Sequence, residues 1–147
     1  MAENNLIRVR VVTPEKIFID GTADSVSLPS LSGYIEVLYA HAPLLAELGP
    51  GEVTMHGGDV GDQQLFVTQG FVEVLPDRVT ILAESAMPPG EINLAEAREE
   101  LERGHKMWNE AGDESRRYDE ANRVIREAEE RIAAASGAAT TGTAHPA

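Results

Sequence analysis

Gly33-Tyr34-Ile35-Glu36-Val37-Leu38-Tyr39-Ala40-His41-Ala42-Pro43-Leu44-Leu45-Ala46-Glu47-Leu48-Gly49-Pro50-Gly51 is the stretch on which the reading of the fold turns. Ile35 and Val37 alternate at the period of an extended strand. Pro43 holds Ala42 extended and removes one backbone donor. Leu44, Leu45 and Leu48 need an apolar home. Gly49-Pro50-Gly51 is a turn with one preset and two permissive backbone positions. Residue physics gives a strand, a corner and a second strand.

The flanking sequence repeats that pattern. In Leu6–Thr13, Ile7, Val9 and Val11 fall on one side and Arg8 and Arg10 on the other, which reads as a half-buried strand ended by Pro14. Lys16–Ile19 reads as a short strand stopped by the turn signal Asp20-Gly21. Ser25–Leu28 alternates before Pro29. Val53–His56 follows, then a glycine-rich turn from Gly57 to Asp62. Leu65–Thr68, Phe71–Leu75 and Val79–Glu84 complete the set, with Pro76-Asp77 turning the last pair. Short strands at this spacing predict an antiparallel β-sandwich over residues 1–88.

Pro88-Pro89-Gly90 can continue neither a ladder nor a helix and marks a boundary. Asn93 with Glu96 three residues later reads as a capping box. Leu94, Ala97, Leu101 and Trp108 share one helix face, a stripe interrupted by Gly104 and His105. Ala111-Gly112-Asp113 ends that helix, and Asp113 is placed to cap the next. Tyr118, Ala121, Ile125, Ala128 and Ile132 then form a second stripe. Two stripes and a short loop predict an antiparallel α-helical hairpin over 89–135, with Trp108 and Tyr118 as packing anchors. Glu99/Arg103, Glu102/Lys106, Asp119/Arg123 and Glu127/Arg131 are spaced to pair along the exposed faces. The second stripe is thin, which predicts a weakly held, movable hairpin. From Ala133 the Ala/Gly/Thr composition reads as an unpacked tail, disordered over 136–147. The fold class is therefore α+β, mainly β.

Composition bounds the function. The 147 residues carry a formal net charge of −13. Residues 1–90 hold 12 acids and 4 bases; residues 91–147 hold 13 acids and 8 bases. A balance so acidic argues against nucleic acid or an anionic membrane as the partner. There is no cysteine, hence no disulfide framework or thiolate chemistry. No signal or transit peptide is legible at the N-terminus, and no apolar run suits a membrane span, so direct membrane insertion is not expected. His41, His56, His105 and His145 share no metal-ligand spacing. Gly57-Gly58-Asp59-Val60-Gly61 lacks the Lys-Ser/Thr of a phosphate loop, and no Gly-x-Ser-x-Gly is present. His41 reads as a corner residue and the many carboxylates as solvated. No cofactor and no catalytic residue is expected. What remains is a binding or coupling protein; a hydrolase would need two carboxylates paired in a pocket.

Three blocks in order carry a resemblance. His41-Ala42-Pro43-Leu44-Leu45 with Leu48-Gly49-Pro50-Gly51, then Phe66-Val67-Thr68-Gln69-Gly70-Phe71-Val72-Glu73-Val74 with Pro76-Asp77-Arg78-Val79-Thr80-Ile81-Leu82-Ala83-Glu84, then Glu91-Ile92-Asn93-Leu94, resemble the epsilon subunit of the F-type ATP synthase. The likeness runs from Leu6 to about Ile132. It implies a non-catalytic central-stalk subunit whose sandwich binds the gamma subunit and the c-ring, coupling proton-driven rotation to ATP synthesis. It implies a hairpin that folds against the sandwich or extends along gamma to the beta subunit and blocks ATP hydrolysis. The location implied is the cytoplasmic face of the bacterial plasma (inner) membrane, peripheral through the complex. The alternative is an acidic sandwich adaptor with a helical interaction arm and no rotary partner.

The resemblance assigns the c-ring contact to a loop region comprising Ser32, Gly33, Tyr34, Ile35, Glu36, Val37, Leu38, Tyr39 and His41. Within it Tyr34 replaces the family's usual acid, Glu36 its second glycine and Tyr39 its proline. The period of two keeps Glu36 on the face of Tyr34. Gln69 stands where a glycine is usual. The hairpin's contact with gamma and beta falls to Arg116, Arg117, Arg123 and Arg126, although residues 116–132 carry five arginines against five acids. In the family's regulatory ATP motif, Asn93 replaces an acid and Glu96 replaces an arginine, so ATP binding is not expected.

Overall fold

The computed structural model describes residues 5–139. The chain divides into two compact units that part between Met87 and Pro88. The first contains ten strands: β1 (Ile7–Val12), β2 (Ile17–Ala23), β3 (Ser25–Ser30), β4 (Gly33–Leu38), β5 (Leu44–Leu48), β6 (Gly51–His56), β7 (Gln63–Val67), β8 (Gly70–Leu75), β9 (Arg78–Ala83) and β10 (Ala86–Met87).

The ladder runs β10-β7-β6-β3-β5-β8-β9-β1-β2, with β4 paired to the other side of β3. Strand β3 joins the two halves: it pairs with β4 along its length, with β6 through Ser25, Val26 and Ser27, and with β5 through Ser30 opposite Leu48. Consecutive strands β5 and β6 thus lie in different halves, and Gly49-Pro50 carries the chain between them. Alternation does the rest. Ile7, Val9, Val11, Val26, Leu28, Val37, Val53, Met55, Val72, Val74, Val79 and Ile81 all point into one cluster and are fully buried. Each contributes on the order of 1.5–3 kcal/mol of burial. The fold is the expected sandwich.

Two features depart from the expectation. The sandwich is not wholly antiparallel, because β1 and β9 pair in parallel, from Arg8 opposite Arg78 to Val12 opposite Leu82. And β2 does not stop at Asp20-Gly21: both residues sit inside the ladder, opposite Arg10 and Val9. Gly21 is needed there for its missing side chain. A Cβ at that position would lie 2.5 Å from Asp59 Oδ1 and 2.8 Å from Val60 Cγ2. Into that space the β6–β7 turn brings Asp59, whose Oδ1 accepts the Thr22 N–H at 2.7 Å. Thr22 Oγ1 accepts the Asp59 N–H at 3.1 Å, and the Val60 N–H donates to the Thr22 carbonyl at 3.0 Å. The free edge of β2 is thereby fastened to the turn of the opposite half.

The second unit opens with a 3-10 turn, Pro89–Glu91, and continues with α1 (Leu94–Asn109) and α2 (Ser115–Ala139). Asn93 caps α1: its Oδ1 accepts the Glu96 N–H at 3.1 Å, while its Nδ2 donates to Glu96 Oε2 at 3.1 Å. Asp113 does not cap α2. The Glu114 carbonyl accepts the first helical bond, from the Arg117 N–H at 3.0 Å, so the boundary position falls one residue later. Nor does the chain unpack at Ala133. Helix α2 continues to Ala139, past the expected end at residue 135, and Ala134 is buried, because alanine is a strong helix former even in a low-complexity run. The rest of the expected tail, residues 140–147, lies outside the described residues.

Gly104 does not interrupt the α1 stripe but completes it. It is buried between Leu101 and Trp108, where an added Cβ would stand 2.7 Å from Ile125 Cγ1 and 3.2 Å from the Ile125 nitrogen. Helix α2 crosses at that point because there is no side chain in the way. Trp108 and Tyr118 do pack together, as their spacing predicts. Of the expected ion pairs, Glu127–Arg131 forms at 3.0 Å, whereas Arg103 turns to Glu100.

Candidate functional site

The Ser32–His41 stretch is a turn, an edge strand and a second turn rather than one loop. Ser30 Oγ donates to the Gly33 carbonyl at 2.6 Å and accepts the Ser32 N–H at 3.2 Å, which closes the β3–β4 turn around Leu31 and Ser32. At the far end Ala40 takes a left-handed φ of 71°. Its N–H donates to the Pro76 carbonyl at 2.7 Å, and the His41 N–H donates to the Leu38 carbonyl at 3.1 Å. A strand from Gly33 to Leu38 is about 17 Å long. Ser32, Gly33 and Tyr34 therefore sit at one end of the sandwich and Leu38, Tyr39 and His41 at the other.

Side-chain direction divides the stretch again. Tyr34, Glu36 and Leu38 are exposed on one face of β4, as the period of two predicts. Val37 is wholly buried, and Ile35 is partly buried and packs against the core. Tyr34 is exposed yet held. Its hydroxyl accepts the Glu52 N–H at 3.0 Å, and a Cβ at Gly51 would lie 2.5 Å from that oxygen. His41 is half-buried, its Nδ1 2.7 Å from the Ala42 carbonyl, which fits a corner.

A second surface carries residues that the sequence reading did not assign to a site. On the outer face of the half containing β5, β8, β9, β1 and β2, Leu45, Phe71, Leu82 and Ile17 are 73, 54, 51 and 52% exposed. Phe71 is opposite Leu82, Leu82 opposite Val12, and Val12 opposite Ile17, so an apolar row crosses four strands. Phe71, Leu82 and Val12 of this row line an open groove of about 620 Å3 that Glu47 and Glu84 also line. The signal was present in the sequence: in β8 and β9 the core takes Val72, Val74, Val79 and Ile81, leaving Phe71 and Leu82 as large apolar residues in the outward phase.

On α2, Arg116, Arg117, Arg123 and Arg126 are all exposed. At about 100° per residue, Arg116, Arg123 and Arg126 share one face, opposite Ala121, Ile125 and Ala128, while Arg117 is turned aside. Arg117 pairs with Glu114 at 3.2 Å. Burial raises the pKa of Glu130, an effect opposed by the charge of Arg126 and reinforced by Glu129. Among the described residues no three His, Asp or Glu side chains are grouped to hold a metal ion, and no helix is long and apolar enough to cross a membrane.

A sandwich with an exposed apolar strand face, followed by a two-helix arm, is the class the fold defines: a β-sandwich protein that presents an apolar surface. Residues 6–89 match the family model described as ATP synthase, Delta/Epsilon chain, beta-sandwich domain. The ATP synthase epsilon chain of Koribacter versatilis is 41% identical over 106 residues, 71% of this chain and 72% of that one. The epsilon chain of Halalkalibacterium halodurans is 38% identical over 126 residues, 86% of this chain and 94% of that one. The chain belongs to the ATP synthase delta/epsilon family, on its epsilon branch. In fold it resembles a chain of the Euglena gracilis mitochondrial ATP synthase OSCP/F1/c-ring assembly, with a TM-score of 0.75 at 20% identity, covering 88% of this chain and 81% of that one.

Proposed function

We propose that this chain is a non-catalytic rotor subunit of a bacterial ATP synthase, coupling proton-driven rotation of the c-ring through gamma to ATP synthesis. It is held at the cytoplasmic face of the inner membrane by its partners alone. The observation that carries this reading is the apolar row Phe71–Leu82–Val12–Ile17, with Leu45 beside it. A continuous apolar strip on a strand face marks a surface that another protein covers. We assign it to gamma. The exposed side chains of the β4 edge, namely Ser32, Tyr34, Glu36, Leu38, Tyr39 and His41, are assigned to the c-ring.

The arm, through Arg116, Arg123 and Arg126, meets an acidic segment of the beta subunit and restrains ATP hydrolysis. Asn93 and Glu96 are occupied by each other at the α1 cap, which supports the absence of a nucleotide site there. Copurification tests the whole. Tagged protein from its native host is expected to bring down alpha, beta, gamma and c subunits. Recovery of an unrelated partner set without gamma would favour the adaptor reading and overturn this one. Substituting Tyr34 and Tyr39 separately locates the ring contact at one end of β4 or the other.

A further inference from the structure

The seam between α1 and α2 is lined by small residues, Ala97, Gly104, Ala121 and Ala128, all buried. Alanines bring the helices close but bury little apolar area each. The loop end of the hairpin is closed by an aromatic pair. Trp108, in the last turn of α1, and Tyr118, in the first turn of α2, meet edge to face with ring centroids 4.6 Å apart and planes at 71°. The Tyr118 hydroxyl donates to the Gly112 carbonyl at 2.9 Å. One ring therefore grips the opposite helix and the connection between the helices together. Ala111, within that connection, is buried.

We propose that Trp108 and Tyr118 form a latch that keeps α1 and α2 a single closed hairpin. A partner of the arm then meets the outward face of Arg116, Arg123 and Arg126 with the alanine seam shut, and the helices separate only after the two rings part. Where the arm restrains hydrolysis, a role that rests on the rotor reading above, the latch sets how often the helices come apart.

Trp108 is the chain's single tryptophan, so its fluorescence reports the latch directly. The test uses the full-length protein and its Tyr118→Ala and Tyr118→Phe variants, read by Trp108 emission, acrylamide quenching and amide exchange across residues 110–115. Tyr118→Ala is expected to lower the closed-to-open ratio by about two- to tenfold, the worth of one aromatic pair. It shows as red-shifted emission, stronger quenching and faster exchange. Tyr118→Phe keeps the ring contact and stays near the parent in emission. Tyr118→Ala with parental emission, quenching and exchange overturns the latch. Should Tyr118→Ala lose its helix content altogether, Gly104→Ala decides. It crowds the seam but leaves both rings, so Trp108, 41% exposed in the closed hairpin, keeps its parental emission and quenching if the latch holds; red-shifted emission with stronger quenching overturns it. These readouts need no partner, so they stand or fall separately from the rotor reading, which fails on loss of gamma from the purified complex.

Discussion

The hydroxyl of Tyr34 accepts the backbone N–H of Glu52 at 3.0 Å, tying edge strand β4 across β3 to the start of β6. Gly51 makes the approach feasible, since a methyl there would stand 2.5 Å from the phenol oxygen and 3.0 Å from Pro29 Cβ, at a φ of +157°. Gly51→Ala is expected to destabilise the sandwich by about 1–3 kcal/mol through crowding and backbone strain. Tyr34→Phe removes the acceptor alone and should lose only about 0.5–1.5 kcal/mol. Urea unfolding of the two single variants and the double variant checks this. The pair is expected to be non-additive, because both changes act on one contact.

The Asp59 carboxylate is held below its ordinary pKa of 3.8, chiefly by the hydrogen bond from the Thr22 backbone; desolvation opposes this, and the Thr22 hydroxyl and the charge of Arg8 add smaller lowering effects. A carboxyl depressed in the folded state contributes stability that is complete above its unfolded pKa and lost as pH falls through the folded one. The contribution of Asp59 is therefore present at neutral pH and disappears below pH 3.8. Urea midpoints measured from neutral pH downward should fall less steeply in Asp59→Asn than in the parent. Equal slopes would show that this staple does not titrate.

Phe71→Asp and Leu82→Asp place charge in the apolar row without touching the core, because both side chains point outward. Each is expected to leave the unfolding midpoint nearly unchanged and to weaken gamma binding by about thirtyfold, the effect of losing a central interface anchor. Titration against purified gamma measures it. Glu73→Lys, on the same face but off the row, serves as the comparison and should change affinity far less.

Deleting the chain from Glu91 onward is expected to raise ATP hydrolysis by the reconstituted complex. The increase should lie between about threefold and about 150-fold, because three exposed ion pairs contribute only ~0.2–1 kcal/mol each. Reversing Arg116, Arg123 and Arg126 together to Glu should reproduce most of that rise, and Arg117→Glu very little. Hydrolysis assays at two salt concentrations separate the electrostatic share, which shrinks as salt screens it.

The strands and both helices were legible because burial on one face writes a period into the sequence: Ile7, Val9 and Val11 cannot all point inward in any conformation but an extended one. What escaped was decided by distant residues. Asp20-Gly21 has the composition of a turn, yet Gly21 is a ladder residue whose bare Cα receives Asp59 from 38 positions away. Gly104 looks like a helix defect until Ile125 is placed against it. The parallel pairing of β1 with β9 leaves no local trace at all. The strand legible at Ile35 and Val37 is β4, which extends through the middle of the stretch that the resemblance treats as a loop region. The Phe71–Leu82 row was visible only as apolar residues in the wrong phase.

The parallel pairing also orders events in synthesis. Strand β1 leaves the ribosome first, but its ladder with β9 cannot form until residues 78–83 have followed, so the sandwich closes late and over a long sequence separation. Until then Ile7, Val9 and Val11 have only the β2 side of their sheet, and the nascent chain carries an apolar strand in search of a neighbour. Once Met87 has emerged, every rung of the ten-stranded ladder is available, while the helices that follow have yet to leave the ribosome. The ladder can thus close while the arm is still held by the ribosome.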